Sequence, residues 1–209
     1  MCKIEADSMD TIKGFIVWPF YIVATYSLFW TAVIINIPSL IIRISSKGAR
    51  SISKIGGLYD FCETLPLGKT LMSGAVSVFA PYSSSVGAYV DVLTTDTCTV
   101  IMYDYPWLRN PFSSLHAVAL ANVGEMASGI AMMKQLEIHS HLRGIPVKIS
   151  TEYYKKARGT ITGKGSASLT GIDKDCEKDI SASLYDTKGE LVAKCTVTWS
   201  LRMKSPKSK

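Results

Sequence analysis

Between Asn110 and Gly129 the chain reads NPFSSLHAVALANVGEMASG, an apolar stretch holding a single carboxylate, Glu125. No other stretch limits the fold as much. Asn-Pro opens it as a turn, and Ser113 and Ser114 are candidate helix caps. Leu115, Val118, Ala119, Val123, Met126, Ala127 and Ile130 then recur at spacings of three and four, which predicts a helix from about Ser114 to Lys134. Ala117, Ala121, Gly124, Ser128 and Gly129 are small and let neighbouring backbone pack close. Such a helix has to be covered by other elements. A carboxylate inside it is costly unless it is paired or used, so Glu125 is the first candidate site residue.

The cover is β structure. Val86 to Leu93 and Cys98 to Tyr103 read as two strands joined at Thr94 to Thr97. After the helix come Pro146 to Lys156, Gly159 to Thr170, Lys178 to Tyr185 and Leu191 to Met203, all rich in Val, Ile, Thr and Tyr. Asp186 to Gly189 separates the last two as a hairpin loop. Four consecutive strands with short links predict an antiparallel meander. Such a sheet has one face to cover, and the helix is the only long apolar element near it. The expected fold class is α+β, a sheet curled around one central helix.

The first quarter of the chain reads differently. Gly14 to Ile42 is a run of 29 residues without a charge, long enough for a bilayer's hydrocarbon core. Phe20 to Ile37 alone would rise about 27 Å as a helix. Trp18, Tyr21 and Trp30 fit interfacial anchors. Lys3 and Lys13 precede the run beside Glu5, Asp7 and Asp10, whereas Arg43, Lys47, Arg50 and Lys54 follow it. The expectation is a single-pass, transmembrane-like helix with the lipid bilayer as partner over 14–42. The positive flank puts the C-terminal domain in the cytosol or an organelle matrix, such as that of a mitochondrion. The expected layout is an anchor segment at 1–44, a linker with short helices at 45–84, the main domain at 85–204 and a basic tail at 205–209.

The 209 residues carry a net charge of +6, with no basic run interleaved with aromatics, so nucleic acid is not an expected partner. An anionic substrate or surface is a better use of the excess. Cys2, Cys62, Cys98, Cys176 and Cys195 are odd in number and form no Cys-x-x-Cys. That argues for a reducing compartment and against a disulfide framework or a zinc site. His139 and His141 read as loop residues, so neither metal nor cofactor is expected. A serine nucleophile elbow is absent, and Gly163-Lys164-Gly165 lacks the frame of a phosphate-binding loop.

Three stretches carry a resemblance. They are APYSSSVGA from Ala80 to Ala88, Arg109 to Gly129, and EYYKKARG from Glu152 to Gly159. In the second, Asn110 is followed six residues on by His116 and nine further by Glu125. In the third, Tyr153, Ala157 and Gly159 match a strand junction. Over about Ser51 to Met203 the chain resembles the hotdog fold, and within it the DUF4442 group beside the PaaI-like acyl-CoA thioesterases.

The resemblance implies a homodimer, with pairing into tetramers left open, and hydrolysis of a medium- or long-chain acyl-CoA or related thioester. It makes the Ala117 backbone N–H the donor to the developing oxyanion and Glu125 the general base or nucleophile. Asn110 would orient water or the thioester, and His116 would hold the loop or bond near the carbonyl. Ser128 and Gly129 would line the acyl pocket. Lys155, Lys156 and Arg158 would meet the coenzyme A phosphates. Ala117 stands where the family more often has Gly, and its methyl group narrows the approach to the donor. Glu125 lies eight residues further on, about 12 Å of helical rise, so donor and base would come from different chains. The other reading is a non-catalytic module that binds acyl chains or acyl-CoA, or an assembly subunit.

Overall fold

The computed structural model describes residues 55–204 and six earlier positions, Val23, Ser27, Trp30, Thr31, Val33 and Ile34, all helical. The elements are α1 (Ile55–Glu63), α2 (Gly68–Phe79), α3 (Pro81–Ser84), β1 (Tyr89–Leu93), β2 (Thr97–Met102), a 3-10 turn at Pro106–Leu108, α4 (Ala117–Ile138), β3 (Leu142–Tyr153), β4 (Ile161–Ser166), β5 (Cys176–Tyr185) and β6 (Leu191–Met203). The fold is α+β, with one antiparallel sheet wrapped on the long helix α4.

The sheet order is β1-β2-β4-β5-β6-β3, with every neighbouring pair antiparallel. The expected four-strand meander is therefore corrected. β4, β5 and β6 follow one another, but β3 lies at the far edge beside β6, and β4 pairs with β2. The link from Tyr153 to Ile161 is too long for a tight hairpin and is pinned elsewhere. Leu115 N–H donates to the Ala157 carbonyl at 2.9 Å, and Gly159 N–H donates to Asp104 Oδ2 at 2.7 Å. These bonds carry the chain across the end of the sheet. β3 also starts earlier than expected and runs through Gly144 and Pro146, which an edge strand tolerates because one of its sides needs no ladder bonds.

Inward residues of the strands, Val90, Val100, Ile161, Leu184, Val197 and Leu201 among them, meet Val123, Ala127 and Met132 of α4 in the core. Glycine sets how close helix and sheet come. A Cβ on Gly165 would lie 2.4 Å from the Ala127 carbonyl group, and one on Gly124 would lie 2.3 Å from Cys195 Cβ. Gly163-Lys164-Gly165 is thus the bed on which α4 rests. α1 and α2 add Tyr59, Cys62, Met72 and Val76 to the same core. The first turn of α1 is capped from α4, where both Glu137 carboxylate oxygens accept from Gly56 N–H at 3.2 Å.

The expected single-pass anchor and the localisation drawn from it are overturned. Among the described residues no helix is long and apolar enough to cross a membrane. The longest, α4, buries most of its apolar residues and carries Glu125, Lys134 and Glu137. Apart from the six positions named above, the 14–42 run lies outside the described residues, as do the linker before residue 55 and the tail at 205–209.

Candidate active site

The loop before α4 is ordered by Asn110. Its Oδ1 accepts from Phe112 N–H at 2.9 Å, Ser114 N–H at 3.3 Å and the Ser114 hydroxyl at 3.1 Å. Its Nδ2 donates to the Leu115 carbonyl at 3.5 Å. Ser114 is thereby taken up in the turn, and Ser113 sits at a left-handed φ of 54°. Neither caps the helix. The cap is His116, whose Nδ1 accepts from Val118 N–H at 3.2 Å, while its own N–H donates to Leu108 O at 2.7 Å. Ala117 follows as the first helical residue and is exposed. Its N–H points out of the helix start, where the macrodipole favours negative charge. Among the described residues no hydrogen bond takes it up.

Two turns along α4 lies Glu125, partly buried. Burial pushes its carboxyl group above the ordinary value of 4.5, because a low-dielectric site disfavours the charged form. Among the described residues its carboxylate has no ion pair or hydrogen bond. Gly129, one turn on, makes room for it: a Cβ there would lie 3.3 Å from Glu125 Oε1. Ser128 is fully buried, and its hydroxyl donates back to Gly124 O at 2.8 Å and Glu125 O at 3.1 Å. That hydroxyl is thus occupied inside the helix.

Two residues of β3 join this group without having been expected as site residues. The Tyr153 hydroxyl donates to the Ala117 carbonyl at 2.9 Å, tying the helix start to the edge strand. Thr151 faces Cys195 across the ladder. Its hydroxyl is buried and lies near enough to the Cys195 thiol and the Tyr153 hydroxyl to act on both. That thiol is pushed up first by burial and further by the Glu125 carboxylate, and the Thr151 hydroxyl opposes both. Cys195 thus feels both the Glu125 carboxylate and the Thr151 hydroxyl. The alternation Ile149, Thr151, Tyr153 is present in the sequence, but only the position of β3 at the sheet edge brings Thr151 and Tyr153 beside α4. On that edge Ile145, Val147 and Ile149 are each more than half exposed.

The cations divide. Lys156 Nζ lies 5.8 Å from the centre of the Phe112 ring, and Arg158 Nε donates to Ser113 O at 2.8 Å. Both stand against the loop that starts α4. Lys155 turns away to the β5–β6 hairpin, where it pairs with Asp186 at 2.7 Å and with Glu190.

No curated protein matches the chain. Solved structures do. A structural genomics crystal structure aligns with a TM-score of 0.62 at 20% identity, over 72% of this chain and 99% of its own. A Pseudomonas aeruginosa protein of unknown function, called a probable thioesterase, aligns at 0.57 and 19%, over 67% and 97%. A thioesterase family protein from Silicibacter pomeroyi aligns at 0.52 and 18%, over 63% and 96%. At such identities the likeness shows the fold, a sheet wrapped on a central helix as in the hotdog proteins. Residues 68–201 match DUF4442, a domain of unknown function; that is well over half of the sequence, and the chain belongs to this family.

Proposed function

We propose that the protein is a dimeric thioesterase that hydrolyses an acyl-CoA or related acyl thioester. The observation that carries the reading is the pair formed by the unengaged Ala117 N–H at the start of α4 and the unpartnered, burial-raised carboxylate of Glu125. The two lie about 12 Å apart along one helix, too far to act on one carbonyl. A two-fold dimer formed through the exposed edge of β3 would set one chain's Glu125 against its partner's helix start. The apolar side chains Ile145, Val147 and Ile149 favour that edge as the contact.

In this reading the thioester oxygen accepts from Ala117 N–H. Glu125 of the other chain takes a proton from water, and the water oxygen forms the bond to the thioester carbon. The Thr151 hydroxyl, on the edge strand beside Cys195, holds the same water. Negative charge on the tetrahedral oxygen is met by the N–H and the helix dipole. Collapse breaks the C–S bond, and the proton on Glu125 passes to the leaving sulfur, giving acid and free thiol. Asn110 and His116 act by holding the loop and the cap that aim Ala117. The acyl chain runs beside Gly129 and the Ser128 backbone. Lys156 and Arg158 at the loop suit the coenzyme A phosphates, and Lys155 contributes less because two carboxylates already hold it.

The test is acyl-CoA turnover by the full chain and by Glu125→Gln. A fall of about 100-fold or more, the scale of a lost acid–base group, is expected. Equal background rates in both would leave a module that binds acyl chains or acyl-CoA without cleaving them.

A further inference from the structure

Asn122 is a polar side chain in α4 that the reaction above does not use. It is only 9% exposed. Its Nδ2 donates to Tyr82 O of α3 over a long 3.4 Å, and its Oδ1 is buried with no partner. Turning the amide over would set its oxygen against the Tyr82 carbonyl, so the lone group is an acceptor. Leaving such a group unmet is unfavourable, and a leucine would fill the same space without that penalty.

The cover over Asn122 is slight. α3 is a four-residue helix with no buried side chain, and this amide gives the only hydrogen bond joining α3 to α4 among the described residues. Tyr82, which supplies that carbonyl, is 73% exposed, Phe79 at the end of α2 is 84% exposed, and Val118, one turn before Asn122 on the same face, is 56% exposed. Neither α3 nor α4 before Glu125 carries Asp, Glu, Lys or Arg.

We propose that α3 closes over a substrate subsite whose polar floor is Asn122 Oδ1 and whose walls are Val118 of α4 and Tyr82 of α3. It takes a stretch of the thioester that presents one neutral N–H or O–H donor beside apolar carbon. This rests on the thioesterase reading. Asn122 lies five residues past Ala117, about 7.5 Å along the axis, within reach of groups a few bonds from the thioester carbon. The donor is an amide N–H on the thiol side or a hydroxyl on the acyl side.

The experiment measures kcat/KM of the full-length protein and of Asn122→Leu on three hexanoyl-length thioesters: S-ethyl, N-acetylcysteamine, and S-ethyl with a 3-hydroxyl. The wild type should prefer one donor-bearing thioester over the plain one by about tenfold, the scale of one hydrogen bond. Which one it prefers names the source. In Asn122→Leu that preference should vanish. Asn122→Ala, which cannot overfill the site, should lose it too if the leucine variant fails to fold. An equal fall on all three substrates, or a wild type with no preference, overturns the subsite. If the wild type cleaves none of them, the thioesterase reading fails instead. Calorimetric binding of the matching uncleavable thioethers then tests the same preference.

Discussion

Gly165→Ala tests the contact that fixes α4 to the sheet. The added Cβ would meet the Ala127 carbonyl group at 2.4 Å and Ser128 N at 2.6 Å. These are backbone atoms of a helix held by β2, β4, β5 and β6, so no side chain can swing away. Helix or strand must retreat by roughly 1 Å to restore ordinary contact. Overpacking of this kind costs about 1–3 kcal/mol, and a rigid neighbour puts it near the top of that range. Alanine recovers up to about 1 kcal/mol through the unfolded chain, leaving a loss of about 2 kcal/mol. For a chain of this size the melting temperature should fall by about 4–8 °C. Gly165→Val should fall further. Differential scanning calorimetry of both variants, with activity measured beside it, makes the check. Gly165→Ala melting at or above the wild type would refute the claim that backbone contact sets the helix position.

Gly129→Ala should do the opposite. Its Cβ meets only the movable Glu125 carboxylate at 3.3 Å, and alanine favours a helix by about 1 kcal/mol, so the protein should melt slightly higher while kcat falls as the carboxylate is crowded. Glu125 titrates above its ordinary value of 4.5 because burial disfavours its charge. A carboxyl shifted upward in the fold lowers stability as pH rises through that shifted value, and the penalty is absent below the unfolded value. Glu125→Gln should therefore melt higher at neutral pH, with the gain fading in acid, while wild-type kcat/KM should rise with pH as the base ionises; a melting gain that grows toward acid would contradict both. Tyr153→Phe removes the bond to the Ala117 carbonyl and should lower kcat about tenfold with KM little changed, since aim rather than affinity is lost.

The central helix was legible in the sequence because its apolar spacing and small residues are local signals, and Glu125 stood out as the lone carboxylate between them. The cap was not. Ser113 and Ser114 are better intrinsic caps than His116, but Asn110 draws Ser114 into the turn first. The place of β3 was hidden for another reason: sequence order favours a meander, and the pinning of Ala157 and Gly159 to distant residues has no local signature. Thr151 and Tyr153 could not be seen as site residues until β3 was known to lie at the edge beside α4. Gly163 and Gly165 read as a failed phosphate loop, although their spacing of two is what one face of a strand needs to receive a helix. The uncharged run at 14–42 shows the limit of composition, since its length and apolarity predicted a span that no described helix forms.

If donor and base belong to different chains, two broken proteins should mend each other. Ala117→Pro removes the N–H alone. Proline is well suited to the first position of a helix, and His116 before it already has extended angles, φ −66° and ψ 136°, which proline requires of its predecessor. The helix should survive and the donor should vanish. Glu125→Gln keeps the donor and loses the base. Each variant alone gives dimers with two damaged sites. Mixed in equal amounts and allowed to exchange, half of the dimers carry one of each chain. In such a dimer one site joins an intact Ala117 to an intact Glu125, and the other has lost both. Recovered activity should approach about one quarter of the wild type, given a two-fold dimer with random pairing. Were both groups drawn from one chain, every site in the mixture would lack one of them and no activity would return. Size-exclusion chromatography of the mixture establishes that exchange has occurred when one chain bears a mass tag. A mixture shown to exchange that stays at the level of its parents would place donor and base in the same chain or remove one of them from the reaction.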